Sequence, residues 1–372
     1  MATPAAAIVK AGPMAELPPP LQRLSIAAWM RENLFSGWRS TLVTLLLGGI
    51  LLIVVPPAIQ WALIDAVWYA ADSSACRAAA GACWAVIPEK HRVMFFGLYP
   101  YEEHWRPALA LLLYIAGLAI SGWSRTWRMS ILLPLWTALP AAVLTLMLGG
   151  VFGMPYVDTS QWGGLPLTMV IFTGTIVLGM PVAMLLALGR RARMPVIRVL
   201  SVFMIEFVRG VPLVTILFTA AVIFPLFLPP GFDTDKMVRI VVGMAIFFGC
   251  YQAEVIRGGL QAIPKGQYEA ADSLGLGYWG KTRKIVLPQA LRIVIPGLMN
   301  HIISAFKNST LVIIVGLFDF LNATGAAVSD PEWINYYTEA YLFVALVYFL
   351  GAYALSRYSH HLERRLSLGR QY

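Results

Sequence analysis

The chain has 372 residues, of which 59% are hydrophobic and 13% are charged. Soluble globular domains carry about 25% charged residues, so the composition excludes an ordinary soluble domain and indicates a polytopic membrane protein. The net charge of +9 does not indicate a nucleic-acid partner, because Lys and Arg collect in the cytoplasmic loops of membrane proteins.

The first 40 residues contain neither the apolar core nor the cleavage site of a secretory signal peptide. We therefore expect residues 1–40 to form a cytoplasmic tail that is not cleaved. Eight apolar segments follow, each long enough to cross ~30 Å of hydrocarbon as a helix. In chain order the predicted spans are 41–62, 107–122, 131–152, 165–188, 209–229, 238–257, 291–315 and 337–356.

The loops between these spans differ in charge. Most Lys and Arg residues lie in loops on the same side as the N-terminus, which identifies that side as the cytoplasm. Both termini are then cytoplasmic and the long loop 63–106 is periplasmic. By its character the chain divides into an extension with three spans (41–160), a part with five spans (161–360) and a C-terminal tail (361–372).

The three cysteines do not form a metal-binding pattern, since no C-x-x-C motif or Cys/His cluster is present. We therefore predict no metal site. Cys76 and Cys83 both lie in the loop predicted to be external, where the oxidising environment allows a disulfide. A disulfide and two unpaired thiols both remain open at this point.

The cytoplasmic loop between the sixth and seventh spans contains EAADSLGLGYWGKTRKIVLP, residues 269–288. GLGYWG fits the dinucleotide pattern G-x-G-x-x-G, and GLGYWGKT fits the phosphate-binding pattern G-x-x-x-x-G-K-T. Both patterns need a strand before the glycines and a helix after them. The residues before Gly275 favour a helix, Pro288 is expected to interrupt a following helix, and the loop is too short for a nucleotide-binding domain. Neither nucleotide site is predicted.

The same loop is instead typical of a docking element. We expect a short amphipathic helix over 267–274 with Glu269 in its first turn, where the helix dipole favours an anion. A turn at Gly275 and Gly277 should follow, and then a second, basic helix over 281–286 that ends near Pro288. Two short helices around a compact turn suit a groove on a cytoplasmic partner. The alternative is an interfacial loop that the aromatic pair at 278–279 anchors in the membrane.

A family resemblance favours the docking element. The pattern E-A-A-x(3)-G-x(9)-I-x-L-P, typical of the permease subunits of bacterial ABC importers, is complete here. Residues 253–275 (AEVIRGGLQAIPKGQYEAADSLG), 206–213 (EFVRGVPL) and 306–320 (FKNSTLVIIVGLFDF) resemble the polar amino-acid permease family. ENLFSGW and ACRAAAGACWAVI resemble the larger membrane subunit of general L-amino-acid transport systems. Val211 and Asn308 depart from the residues usual in the family.

The resemblance implies an all-α, polytopic protein of the bacterial inner membrane, with a type I importer core of five helices and three additional N-terminal helices. The chain would form half of a translocation pathway and would not be an enzyme. It would bind no cofactor itself, because ATP and Mg²⁺ belong to a separate cytoplasmic ATPase subunit. Further implied partners are a second permease subunit, a paralogue; a periplasmic amino-acid-binding protein; and membrane lipid.

The resemblance also implies the residues that carry function. The coupling loop, 258–290, would transmit ATPase closure through Glu269, Ala270, Ala271, Leu274, Gly275, Ile285, Leu287 and Pro288. The candidates for the substrate pathway come instead from the polar residues inside the predicted spans; they are Glu254, Lys307, Asn308, Ser309 and Thr310. A lysine within a span costs ~3 kcal/mol to insert, so it should face a cavity, a partner helix or a substrate carboxylate.

Two acid–base pairs at the inner ends of spans have a spacing of three residues, Glu206 with Arg209 and Glu254 with Arg257. Each predicts a local ion pair, and the alternative for Glu254 is contact with a substrate amino group. A stand-alone secondary transporter would need an acid at mid-membrane for ion coupling, and none is evident. A membrane-embedded enzyme would need converging catalytic groups, whereas the five histidines are scattered (His91, His104, His301, His360 and His361).

Overall fold

The computed structural model describes residues 25–229, 231–232 and 234–367. Most of the predicted N-terminal tail and the last residues of the C-terminal tail lie outside the described residues. The described part is helical and contains no β-strand, apart from isolated bridges between Val67 and Cys83 and between Gly164 and Asp319. The chain divides between Asp65 and Ala66 into two compact units.

The first unit contains two helices, α1 (Ile26–Asn33) and α2 (Trp38–Ile59). A π-helical turn, Gln60–Ile64, extends α2. The apolar residues of α2 cover all sides of the helix, and none of its side chains is buried. A helix of this length that is apolar all round is suited to hydrocarbon, which confirms the first predicted span.

The second unit contains the remaining helices. They are α3 (Ser74–Ala78), α4 (Val86–Phe96), α5 (Trp105–Gly122), α6 (Met129–Leu148), α7 (Gly164–Arg190), α8 (Pro195–Gly210), α9 (Leu213–Phe218), α10 (Lys236–Gln261), α11 (Lys265–Ser273), α12 (Tyr278–Lys281), α13 (Leu287–Asn308), α14 (Phe320–Ala327) and α15 (Tyr337–Ser367). Short π-helical and 3₁₀ turns extend α9 to Phe227 and α13 to Val315.

Within the described residues, seven helices are long and apolar enough to span a membrane, and a bent pair provides an eighth. The bent pair is Pro195–Gly210 followed by Leu213–Phe227, with 105° between its two halves. The predicted span 209–229 therefore begins inside the bend. The cause is Pro212, because a residue before proline avoids the helical conformation, and Val211 is extended with ψ 134°.

Helices α7 and α10 form the centre of the second unit, and glycines allow their backbones to approach closely. A Cβ atom on Gly179 would lie 2.8 Å from the Ala245 carbonyl oxygen, and one on Gly249 would lie 3.0 Å from the Gly179 carbonyl oxygen. Small residues at such crossings let membrane helices gain van der Waals contact where no hydrophobic effect drives their association. The pair therefore forms a rigid frame for the cavity described below.

The loop over residues 66–104 is anchored on the connection between α14 and α15. A disulfide joins Cys76 and Cys83, and the backbone N–H of Cys83 donates to Glu339 Oε1 at 3.0 Å. The Ser73 N–H donates to Glu332 Oε1 at 3.1 Å, and Lys90 Nζ pairs with an Asp330 carboxylate oxygen at 2.7 Å. The loop is thus an ordered cover over these helix ends.

A buried arginine joins α5 to the end of α6. Arg106 is 0% exposed and donates to three carbonyl oxygens, those of Leu146, Met147 and Pro155, while Glu103 lies 3.6 Å from its guanidinium group. These bonds satisfy the carbonyls that a helix C-terminus leaves without partners. Arg106 therefore has a structural role, although by sequence it was one of the basic residues assigned to the external loop.

Candidate functional site

The loop between α10 and α13 has the helix–turn–helix form predicted from its sequence. Helix α11 is followed by Gly275, which has φ +71°, a conformation that residues with a Cβ rarely adopt. Helix α11 begins at Lys265, earlier than expected, so Glu269 lies beyond its first turn. The favourable dipole interaction predicted for Glu269 is therefore wrong.

The second half of the loop differs from the prediction. Helix α12 continues through a π-helical turn, Thr282–Val286, directly into α13. Pro288 is the second residue of α13 and directly follows the π-helical turn. The helix does not end there, because a π-turn is one of the irregularities through which a helix continues past a missing regular hydrogen bond. The argument against a phosphate loop that relied on Pro288 is wrong. Helix α11, and not a strand, precedes the glycines, so the lack of a strand and the shortness of the loop both still oppose a nucleotide site.

Polar contacts fix the two halves of this loop to each other and to α7. Tyr268 donates its hydroxyl proton to the Leu260 carbonyl oxygen and accepts from Arg191, both at 3.1 Å. Lys281 pairs with Asp272 across the turn. The Lys281 side chain is only 17% exposed, so most of it is enclosed by the loop.

The predicted coupling residues divide into an exposed group and an inward group. Ala271 is fully buried, and Ile285 and Leu287 are partly buried. The exposed group comprises Glu269, Ala270, Leu274, Gly275 and Pro288. Leu274 is 76% exposed and Trp279 beside it is 71% exposed. We call this exposed group, together with Trp279, the loop tip; its solvent-facing apolar side chains are typical of a protein-binding surface.

An ion cluster joins α7, α8 and α10 near the same loop. Arg190 donates to Glu206 at 2.8 Å and to Glu254 at 2.7 Å. Arg257 pairs with Glu254 at 2.8 Å, as predicted, whereas Arg209 lies 3.9 Å from Glu254. The predicted pair between Glu206 and Arg209 is wrong, because the Glu206 carboxylate forms its ion pair with Arg190 instead. Sequence spacing did not indicate this, since Arg190 lies far from both acids in the chain.

Two adjacent arginines at the end of α7 therefore contact two different features. Arg190 binds the ion cluster, while Arg191 donates to the Leu260 carbonyl oxygen at 2.9 Å and to Tyr268 on α11. A path of hydrogen bonds thus runs from Tyr268 on α11 through the adjacent Arg191 and Arg190 to Glu254. This arrangement links the loop physically to the ion cluster.

A cavity of about 280 Å³ lies between α7, α9, α10 and α13. Its polar lining residues are Thr175, Tyr251, His301, Ser304 and Asn308. Apolar side chains, including those of Phe247 and Phe248, complete the walls. Sequence reasoning missed most of this set. A helical periodicity in the sequence could have indicated part of it, because positions 301, 304, 305 and 308 fall on one helical face.

Only Asn308 of the five predicted pathway residues lines this cavity. Ser309 is buried and donates to the Phe306 carbonyl oxygen, and Thr310 donates to the Lys307 carbonyl oxygen. Lys307 is exposed on the chain surface, and Glu254 belongs to the ion cluster. Over the described residues, no group of three or more His, Cys, Asp or Glu side chains is arranged to hold a metal ion.

Residues 179–368 match the family described as the inner membrane component of binding-protein-dependent transport systems. The chain belongs to this family. It is therefore a multi-span inner-membrane transport protein of the ABC importer class, and systems of this class combine the membrane component with an ATPase and a binding protein. The matched range includes α8 to α15, and hence the loop tip, the ion cluster and most of the cavity lining.

Relatives similar over nearly the whole chain are permeases of amino-acid systems. The inner membrane amino-acid ABC transporter permease protein YhdY of Escherichia coli is 46% identical over 92% of this chain and 93% of its own length. The glutamate/glutamine/aspartate/asparagine transport system permease protein BztC of Rhodobacter capsulatus is 40% identical over 95% and 96%. A solved structure described as an amino acid ABC transporter with histidines is 29% identical over 54% of this chain and 92% of its own, with a TM-score of 0.49.

Proposed function

We propose that this family member is the permease subunit of an ATP-driven amino-acid importer. The observation that carries the proposal is the 46% identity to an amino-acid ABC transporter permease over 92% of the chain. The proposed substrates are amino acids, as the names of the relatives' systems state. None of these relatives supports the alternative of a stand-alone secondary transporter. ATP and Mg²⁺ would bind a separate cytoplasmic ATPase subunit, and a second permease, a paralogue, would complete the pathway.

The loop tip is the proposed contact with the ATPase subunit. It combines exposed apolar side chains with open space on the outer side of Gly275, since a Cβ there would meet nothing within 4 Å in this chain. Its inner side is held by Tyr268 and Lys281, so a push on the tip would move the loop as one piece. Arg191 and Arg190 would then pass the displacement to α7 and to the ion cluster.

The polar cavity is the proposed resting place for a substrate within this half of the pathway. Asn308 and His301 offer hydrogen-bond partners for polar groups of an amino acid, and the phenylalanines beside them offer apolar contact. Arg209 stacks over the Tyr251 ring at 5.4 Å from its centroid, and its contact with Glu254 is long. Arg209 is therefore better placed than Lys307 to attract the substrate α-carboxylate.

The cavity is tested by Asn308→Ala in the complex reconstituted with its ATPase and binding protein. Loss of one hydrogen bond, worth about 0.5–1.5 kcal/mol, should raise the KM for uptake by about two- to tenfold. Asn300→Ala is the matched control, because Asn300 lies on the same helix, is exposed and does not line the cavity. An unchanged KM for Asn308→Ala would remove the cavity from the proposal.

We also propose that the loop tip and both termini are cytoplasmic and that the loop 63–106 is periplasmic, because most basic residues fall on the first side. With Cys76 and Cys83 joined in the disulfide, Cys250 is the remaining native thiol, and it is buried. Labelling by a thiol reagent therefore reports on an introduced cysteine. An impermeant thiol reagent applied to intact cells should label Phe152→Cys, whose native side chain is 92% exposed, and spare Ser273→Cys. Labelling of Ser273→Cys in intact cells would contradict the proposed orientation and place the loop tip in the periplasm.

The cover over residues 66–104 is the proposed docking surface for the periplasmic binding protein. The disulfide and its bonds to Glu339 and Glu332 hold this surface on the ends of the last helices. Cys76→Ser with Cys83→Ser should weaken stimulation of ATPase activity by the loaded binding protein while leaving the basal rate unchanged. If the binding protein stimulated the ATPase activity of the unaltered complex and of the double variant equally, the disulfide would have no role in docking.

A further inference from the structure

A second, larger cavity lies on the other side of α7 from the polar one. Its volume is about 610 Å³, within the range of ~300–1,000 Å³ typical of ligand sites. Five helices line it. Each contributes at least one apolar side chain, for example Leu118 of α5, Trp136 of α6, Ile176 of α7, Ile302 of α13 and Leu355 of α15. The lining is almost entirely apolar.

A cavity of this kind is not expected to stay empty or to hold water. A void forfeits the close packing that stabilises protein interiors, and water needs two or more polar partners that this lining does not supply. Inside a bilayer the abundant apolar material is the acyl chain of a lipid. An acyl chain is also flexible enough to follow an irregular cavity between helices.

One end of the cavity carries a basic, amphipathic rim. Tyr358 lines this end, and Trp127, on the connection from α5 to α6, packs edge-on against both Tyr358 and His361. Arg125 and Arg128 lie within two residues of Trp127 and are exposed. An aromatic residue between exposed arginines is typical of protein surfaces at the lipid headgroup level.

The acidic residue in this part of α15, Glu363, is outnumbered by the exposed arginines. Glu363 accepts a hydrogen bond from Ser359 at 3.0 Å and lies 3.3 Å from His360 Nδ1. Arg357 on the same helix is exposed as well. The rim thus keeps a net positive charge directly above an acyl-sized apolar cavity, and an anionic phospholipid combines the two complementary parts.

We propose that this cavity binds one acyl chain of an anionic phospholipid, whose phosphate group contacts Arg125 and Arg128. The lipid is a structural ligand that fills the space between the N-terminal helices α5 and α6 and the core helices α7, α13 and α15. No step of transport is assigned to it.

A photo-crosslinking residue identifies the occupant directly. p-Benzoyl-phenylalanine in place of Val177, which lines the cavity and is 36% exposed, is introduced into the full complex. The complex is placed in vesicles of mixed phosphatidylglycerol and phosphatidylcholine, irradiated, and examined by mass spectrometry. We expect a phosphatidylglycerol adduct. An adduct to residues 38–64 or to a second protein chain, or no lipid adduct, would overturn the proposal.

Variants separate the acyl chain from the headgroup. Ala354→Trp fills the cavity and should abolish the adduct, whereas Ala345→Trp on the same helix, away from the cavity, should keep it. If Ala354→Trp does not fold by circular dichroism and gel filtration, Ala119→Phe fills the opposite wall. An undiminished adduct in a folded, filled variant would refute binding inside the cavity.

The headgroup contact predicts a graded loss. Arg125→Gln and Arg128→Gln should each lower the preference for phosphatidylglycerol about fivefold, the effect of one Lys or Arg near an anionic surface. Arg193→Gln, which removes an exposed charge elsewhere, should leave the preference unchanged. Equal yields from both lipids in the unaltered chain would refute anionic selectivity.

Discussion

Replacement of Gly275 by valine separates the conformational and the surface roles of the loop tip. Gly275 has φ +71°, and a Cβ there would meet no atom within 4 Å. The substitution therefore creates no clash inside the chain, and its cost is the left-handed backbone conformation, about 1–2 kcal/mol. A cost of this size reduces the population of the native turn about 5- to 30-fold relative to alternatives, while the spans should remain folded.

The assay is binding-protein-stimulated ATPase activity, together with amino-acid uptake, in the reconstituted complex. Gly275→Val should lower both activities by up to the 5- to 30-fold that backbone strain predicts, and by more if the added side chain also blocks a partner surface. Gly275→Asn distinguishes the two causes, because asparagine tolerates the left-handed conformation. Activity restored by asparagine assigns the defect to strain, and activity still lost assigns it to contact with the ATPase.

Gly266→Val is the matched control. Gly266 lies on α11 in a helical conformation with open space around it, so the same change adds the same bulk to the same loop without strain. It should retain most activity. Full stimulated activity in Gly275→Val, or equal losses in both variants, would refute the assignment of the loop tip as the coupling surface.

Three further predictions concern single side chains. Lys281→Ala should lower the free energy of unfolding by under ~1 kcal/mol, as removal of a partly exposed ion pair usually does, and should keep most uptake. If a photoreactive nucleotide labelled the isolated chain and Lys281→Ala abolished that labelling, the loop would be a phosphate loop after all. Arg190→Ala should cost about 1–3 kcal/mol of stability, measured by thermal unfolding, because it removes two charged hydrogen bonds; Arg193→Ala should cost nothing measurable. Burial raises the pKa of Asp319 from 3.8 to about 6, so the folded protein binds a proton there that the unfolded chain releases. Stability should therefore fall as the pH rises from about 4 to 6 and level off above that, and Asp319→Asn, which keeps a helix cap, should remove about 3 kcal/mol of this dependence; parallel pH profiles of unfolding in the two proteins would contradict it.

Features that depend on local composition were predictable from the sequence. Apolar length defines the spans because hydrocarbon thickness imposes it, and the helix formers before Gly275 correctly indicated a helix in place of the strand that a nucleotide loop needs. The predicted span 209–229 missed the bend at Pro212, although the proline itself disfavours the helical conformation in the residue before it. The error at Pro288 arose because no spacing in the sequence indicates the π-helical turn before it, through which the helix continues.

Features that depend on tertiary packing were not predictable in this way. Arg190 meets Glu206 and Glu254 only because α7, α8 and α10 converge, and no spacing along the chain encodes that convergence. The cavity lining was partly predictable, since His301, Ser304 and Asn308 share a helical face. Their partners Thr175 and Tyr251 lie on other helices, and only the assembled fold brings them to the same space.

The bond between Cys83 and Glu339 joins positions 256 residues apart, and this has a consequence for the order of assembly during synthesis. The ribosome produces the chain from its N-terminus, so Glu339 emerges after nearly all other helices have been made. The two cysteines are separated by only seven positions, and they can join as soon as their own segment is exposed to an oxidant. The disulfide can therefore hold the segment in shape during the interval before its permanent partners on α15 arrive.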